Sequence, residues 1–144
     1  MEILKIKYHD DKSERVVCTK KVDCIDLQIS KTINLKAGES AIILPLGSSI
    51  ELPEEYESLL CPRSRISKHW GIIQTNFADI TDEIFCGDKS IFGMPVYASE
   101  DTTLQFDDCI VQVRIIEHQP NLKVIKVDEL ETNNRGVFVS TGKA

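Results

Sequence analysis

Apolar and polar residues alternate one for one along much of this chain. In Leu4-Lys5-Ile6-Lys7-Tyr8 and in Ile25-Asp26-Leu27-Gln28-Ile29-Ser30 every second residue is apolar. In Cys109-Ile110-Val111-Gln112-Val113-Arg114-Ile115, the side chains of Cys109, Val111, Val113 and Ile115 fall on one face, and Gln112 and Arg114 on the other. A period of two belongs to a half-buried strand, whose successive side chains point to opposite faces. Residues 32–36, 40–44, 49–52, 56–61, 71–75, 95–98, 102–106 and 122–127 are strand-like as well. Turn formers punctuate the runs at Lys36-Ala37-Gly38-Glu39, Pro45-Leu46-Gly47, Leu52-Pro53-Glu54-Glu55, Cys86-Gly87-Asp88 and His118-Gln119-Pro120-Asn121. Short strands at this spacing predict an all-β protein, whether sandwich, jelly roll or barrel. No long amphipathic helix is legible; residues 128–132 have room for one turn. Beyond Leu130 the chain turns polar, so residues 1–130 read as the domain and 131–144 as a flexible C-terminal tail. Val137, Phe138 and Val139 are apolar within that tail and need somewhere to dock.

Composition narrows the function. At 144 residues the chain suits one domain with a core of its own. Seventeen basic against twenty-three acidic residues give a net charge of −6, a poor match to nucleic acid or to an anionic membrane. No apolar run reaches bilayer-spanning length, and the charged, alternating N-terminus is unlike a signal peptide. The five cysteines, 18, 24, 61, 86 and 109, are odd in number and irregularly spaced, which predicts reduced thiols and a cytoplasmic protein. His9, His69 and His118 stand at no ligand spacing from a cysteine, so a zinc site is not expected. The common phosphate-binding glycine loops and the G-x-S-x-G elbow are absent.

Three segments carry candidate chemistry, and each has a bland reading beside the functional one. Pro62-Arg63-Ser64-Arg65 is either a solvated turn or an anion site, two guanidinium forks around a hydroxyl. The acid-rich stretch from Asn76 to Asp88 is a charged hairpin tip, a metal site, or the source of one general base. Arg135-Gly136-Val137-Phe138-Val139-Ser140-Thr141-Gly142-Lys143 is a loose terminus, or a lid with cations and hydroxyls for phosphate and an aromatic to stack on a base.

Taken in order, Asp26, Pro62-Arg63-Ser64, Asn76 to Asp82, Gln112 and Arg135-Gly136 to Ser140-Thr141-Gly142 resemble the five motifs of the trimeric dUTPases, the deoxyuridine triphosphate nucleotidohydrolases. The run Gly71-Ile72-Ile73-Gln74-Thr75-Asn76 and the short tail look most like the branch from Gram-positive bacteria and their phages. The resemblance implies a jelly-roll-like β-barrel homotrimer with shared active sites, the tail closing over the site of a neighbouring subunit. It implies hydrolysis of dUTP to dUMP and pyrophosphate. Asp82 matches the catalytic aspartate that activates the attacking water and contacts the sugar 3′-hydroxyl. Asn76 falls where the family reads the uracil edge together with backbone groups of the hairpin. Ser64 and Gln112 match phosphate-contacting positions, with Arg63 as a support. Arg135, Ser140 and Thr141 match the tail's grip on the terminal phosphates. Asp26 matches the aspartate that holds, through water, a Mg²⁺ carried by the three phosphates.

The sequence also departs from the family pattern. Asp79 replaces a glycine, Arg65 replaces the glycine after Pro-Arg-Ser, Cys109 an arginine, and Val137 and Val139 the glycines around Phe138. Phe85 stands where the family's tyrosine lies under the sugar and blocks a ribose 2′-hydroxyl. Phe138 and Phe92 are rival candidates for the aromatic lid on uracil. The alternative reading is a catalytically weakened, nucleotide-binding protein that acts through a regulatory protein partner, as phage dUTPase-like proteins do. A deaminase of dCTP shares the fold but needs a catalytic glutamate and a different pocket.

Overall fold

The computed structural model describes residues 2–9, 24–76 and 79–136. These form eleven strands and one short helix: β1 (Lys5–Tyr8), β2 (Ile25–Gln28), β3 (Ile33–Leu35), β4 (Ile42–Pro45), β5 (Ser48–Glu51), β6 (Tyr56–Pro62), α1 (Ile66–Trp70), β7 (Ile72–Gln74), β8 (Asp79–Asp82), β9 (Gly93–Ala98), β10 (Thr102–Leu104) and β11 (Cys109–Glu117). They pair antiparallel into four sheets, in the orders β2-β11-β6-β8, β4-β9-β7, β1-β5 and β10-β3. The fold is the expected all-β one, and the alternation supplies its core. Leu27, Leu44, Ile50, Leu60, Ile72, Met94, Val96, Leu104, Val111 and Val113 are sealed from solvent. Each such side chain contributes roughly 1.5–3 kcal/mol relative to exposure.

β11 runs through the middle of the largest sheet, with β2 on one side and β6 on the other. Its register with β2 slips by one residue between Cys109 and Val111. This β-bulge corrects the expected face. Ile110 and Val111 are both buried, and Cys109 is turned out to solvent, because one inserted residue reverses every side chain before it.

Two other expectations differ from the structure. Residues 122–127 form no strand and pair with no other described residue's backbone ladder; Leu122, Val124, Ile125 and Val127 lie exposed, Val124 by 92%. The run is rich in β-branched residues, but no described strand pairs with it. Residues 128–132 make bends and no helical turn. Conversely, the acid-rich stretch contains β8, which its charge concealed, and α1 is a single turn too short to show a helical period.

The β4–β5 turn is held by Ser30, whose N–H and hydroxyl both donate to Pro45 O, at 2.9 and 3.1 Å. Gly47 in this turn has φ +58°, and a Cβ there would lie 2.4 Å from Ser30 Cβ. Gly47→Ala is expected to destabilise the fold by about 1–3 kcal/mol through left-handed strain and this clash. A urea titration checks it, and an unchanged midpoint would contradict the account.

Candidate active site

Asp26, Gln112 and Cys61 stand in one row across β2, β11 and β6, since Gln112 is paired with both Asp26 and Cys61. Paired residues share a face, so all three side chains leave the same side of the sheet, opposite the core. β6 ends at Pro62, and the next residue is fastened to the bulge: Arg63 N donates to Ile110 O at 2.8 Å. Its guanidinium turns back to Asp26, Nη1 to Oδ2 at 2.9 Å. An ion pair this open to solvent adds at most about 1 kcal/mol, so its effect is placement more than stability. Gln112 Nε2 makes a longer contact to Pro62 O, 3.4 Å, which leaves its carbonyl oxygen unengaged by that bond. Ser64 and Arg65 follow in an exposed turn into α1. Sequence motifs remote from one another, Asp26 and Arg63 being 37 residues apart, thus meet on one face: Asp26, Arg63, Gln112 and, beside them, Ser64 and Arg65. Burial, and secondarily the nearby Cys24, push the Cys61 thiol up, so the row carries a neutral thiol and no second anion.

A second group surrounds a cleft of about 730 Å³ between β4 and β8. Both strands are edges, each of its own sheet. The outer flank of β8, from Asp79 to Asp82, therefore presents backbone donors and acceptors that no strand takes up. Asp82 closes β8. Its Oδ1 accepts from Ile84 N at 3.1 Å, and its carbonyl accepts from Phe85 N at 3.3 Å. This local turn holds one carboxylate oxygen and leaves Oδ2 outside that bond. Asp79 and Asp82 are three positions apart on β8 and so lie on opposite faces.

Phe85 lines the cleft, 40% exposed, and meets Phe92 edge-to-face with ring centroids 5.4 Å apart. Phe92 is 4% exposed, and its N–H donates to Ser48 O at 2.8 Å. It is the floor under Phe85, fixed in the core, and cannot swing over a ligand as a lid does. The rival lid, Phe138, and the tail residues Ser140 and Thr141 lie outside the described residues. Arg135 is described, and is exposed in the strand-free segment that follows β11. Behind Asp82, Glu83 Oε2 and His118 Nε2 stand 2.8 Å apart, out of line for a hydrogen bond, and tie the turn to the end of β11.

Asn76 lies two residues beyond β7 and is half-buried. Its Oδ1 accepts from Gln74 Nε2 at 3.1 Å. Gln74 went unnoticed as a functional candidate in the sequence; the signal was there, a polar residue two places before Asn76 on the same side of β7.

The two groups do not meet within one chain. Asp82 is paired with Glu57, and Gln112 with Cys61, four residues further along β6. That is about 13 Å along the strands and about 10 Å across them.

The dUTPase family profile matches residues 20–141. The chain belongs to the dUTPase family. It is 39% identical over 139 residues to the SPbeta prophage-derived deoxyuridine 5′-triphosphate nucleotidohydrolase YosS of Bacillus subtilis, covering 96% of this chain and 97% of that one. It is 34% identical over 142 residues to the deoxyuridine 5′-triphosphate nucleotidohydrolase of Clostridium acetobutylicum, covering 96% of each. Among solved structures, a variant dUTPase of phage phi11 of S. aureus, in which a structural Mg(II) ion is coordinated, overlays with TM-score 0.72 at 16% identity, covering 91% of this chain and 100% of that one. A variant dUTPase of Staphylococcus bacteriophage 80alpha with dUpNHpp gives 0.71 at 17%, covering 93% of each. At such identities the overlays establish the shared fold, a dUTPase jelly roll.

One departure of this dUTPase from its family's pattern has a measurable cost. Arg65, in the glycine position, has φ 72° and begins α1 with no side-chain cap. Arg65→Gly is expected to raise stability by about 0.5–1.5 kcal/mol by relieving left-handed strain. Thermal unfolding would show it, and a lowered midpoint would mean that the arginine makes compensating contacts.

Proposed function

We propose that the chain is a dUTP diphosphatase, converting dUTP and water to dUMP and pyrophosphate in sites shared between the subunits of a homotrimer. The observation that carries this reading is the division of one nucleotide's worth of chemistry into two groups on one face of one sheet. Asp26, Ser64 and Gln112 suit a polyphosphate; Asp82, the free edge of β8 and Phe85 suit a nucleoside. A single dUTP joins them if the groups come from different chains. The uncovered apolar face of the second sheet, with Ile43 on β4, Ile73 on β7 and Tyr97 on β9, supports a subunit contact. The exposed apolar side chains of Leu122, Val124, Ile125 and Val127 support a segment that packs on a neighbour.

In this reading Asp82 Oδ2 takes a proton from a water while Oδ1 stays on Ile84 N. The water oxygen attacks the α-phosphorus, the bond to the oxygen bridging α and β breaks, and pyrophosphate leaves. Phe85, backed by Phe92, lies under the sugar, where its ring leaves no room for a 2′-hydroxyl. Ser64 and Gln112 hold phosphate oxygens, with Arg63 and Arg65 supplying positive charge. Arg135, Ser140 and Thr141 grip the terminal phosphates from a neighbour's tail, and Phe138 stacks on uracil. Among the described residues there is no cluster of three metal-ligating side chains. A lone carboxylate such as Asp26, its Oδ2 on Arg63, suits a Mg²⁺ that arrives on the triphosphate and is held through water. That ion, when bound, neutralises phosphate charge and polarises the α-phosphorus. No helix among the described residues is long and apolar enough to cross a membrane. The free thiols of Cys24, Cys61, Cys86 and Cys109 support a cytoplasmic setting.

Pyrophosphate release with Mg²⁺ tests the reading across dUTP, dTTP, dCTP and UTP, with release expected from dUTP alone. Asp82→Asn is expected to lower kcat on dUTP by about 10²-fold or more while nucleotide binding persists. Unchanged turnover removes Asp82 from the base position. Binding without release by the wild type would favour the alternative, a nucleotide-binding protein working through a regulatory protein partner. Light scattering should give three times the chain mass, and a stable, active monomer would overturn the shared site.

A further inference from the structure

We infer that Gln74 sets the base specificity of this site by fixing which end of the Asn76 amide faces the nucleotide; the inference rests on the dUTP reading above. A carboxamide has an acceptor end and a donor end of nearly the same shape, so what it offers a ligand depends on which end its neighbours claim. Here the claim begins at a backbone carbonyl. Leu60 O can only accept, and it lies 3.4 Å from Gln74 Nε2. That assigns the NH₂ end of Gln74 to this side. The same nitrogen lies 3.1 Å from Asn76 Oδ1, so the asparagine turns its oxygen inward and is left with Nδ2 as its outward group.

Gln74 cannot easily reverse. Its Oε1 is shielded from solvent with no partner among the described residues, and exchange of the two ends would set that oxygen against Leu60 O. Leu60 is itself held at the centre of the largest sheet, paired with Val113 on one side and Asp79 on the other. Gln74 belongs to β7 in the sheet β4-β9-β7, so its amide bridges two sheets and carries the polarity of one backbone carbonyl to Asn76. An outward N–H donor matches the 4-oxo group of uracil. It opposes the 4-amino group of cytosine, itself a donor. Gln74 is thus a positioning residue, acting through Asn76.

The test compares kcat/KM for dUTP and dCTP by pyrophosphate release at pH 8, where an ordinary carboxylate is ionised. Gln74→Glu offers Asn76 acceptors only, so the asparagine should turn its NH₂ inward and its oxygen outward. The dUTP:dCTP ratio is expected to fall by at least about tenfold, with dCTP turnover rising in absolute terms. Gln74→Met removes the donor without charge and leaves the amide unclaimed. Its ratio should fall by less, through a raised KM for dUTP more than a lowered kcat, and it carries the test if Gln74→Glu does not fold. A wild type that fails to hydrolyse dUTP overturns the functional reading and this inference with it. A wild type that hydrolyses dUTP, with both nucleotides losing the same factor in the variants or the ratio unchanged, overturns the inference alone and leaves Gln74 a structural residue.

Discussion

The bulge at Ile110 is the constraint on which the row of Asp26, Gln112 and Cys61 depends. Were β11 paired with β2 in unbroken register from Cys109 and Gln28, Asp26 would stand opposite Val111 and Ile25 opposite Gln112. The inserted residue moves Asp26 into the row of Gln112. On the other side of β11 the ladder with β6 is unbroken, and Arg63 N donates to Ile110 O as its next step. A bulge towards β2 and a regular ladder towards β6 therefore bring together three segments that are remote in sequence. The cost is small, because the side chains of both Ile110 and Val111 stay buried.

The group around Asp82 and Phe85 depends on a different disposition of backbone groups. β8 and β4 each end a sheet, and edge strands are exposed to unwanted pairing unless something covers them. Here the two edges, unpaired among the described residues, flank one cleft of about 730 Å³. β6 fixes β8 from behind, so the N–H and C=O groups of its outer flank are held in place. Apolar side chains at 122–127, Ile43, Ile73 and Tyr97 gain nothing while they face water, and burial against further copies of the chain is the available way to use them.

Much of the fold was legible because its strands are half-buried, the condition under which alternation appears in a sequence. Strands 5–8 and 25–28 follow it closely, and β11 does from Val111 to Ile115. What was not legible has specific physical causes. A β-branched apolar run reports that a segment wants a partner, not that its own chain supplies one, so residues 122–127 read as a strand and are none here. A bulge leaves no mark in a hydrophobic pattern when the inserted residue is itself apolar, so Cys109 was assigned to the buried face and Ile110 to the open one. β8 was hidden by the three acids from Asp79 to Glu83, which suit an edge strand beside a polar cleft better than they suit a core. For the site, the order of motifs named residues that the structure gathers, Asp26, Arg63 and Gln112 among them. It gave no hint that Asp82 stands apart from them in the same chain, because motif order carries no distances.

Gln74 escaped notice for a related reason: its contribution is polarity, which no residue pattern encodes. Uracil and cytosine differ, on the edge a protein reads, by exchange of an acceptor for a donor. A backbone edge discriminates between them because its groups cannot rotate. A side-chain amide discriminates only when something holds it, since a free one turns over and satisfies either base. Leaving a buried donor against a donor costs about 1–3 kcal/mol, which is about fivefold to more than a hundredfold in binding. That penalty counts against cytosine only if reversal of the Asn76 amide is at least as costly. Reversal here requires Gln74 to turn as well, and Gln74 faces the carbonyl of Leu60, whose orientation is set by the two strands that flank it. The selectivity of a rotatable group is thereby tied to the rigidity of the central sheet.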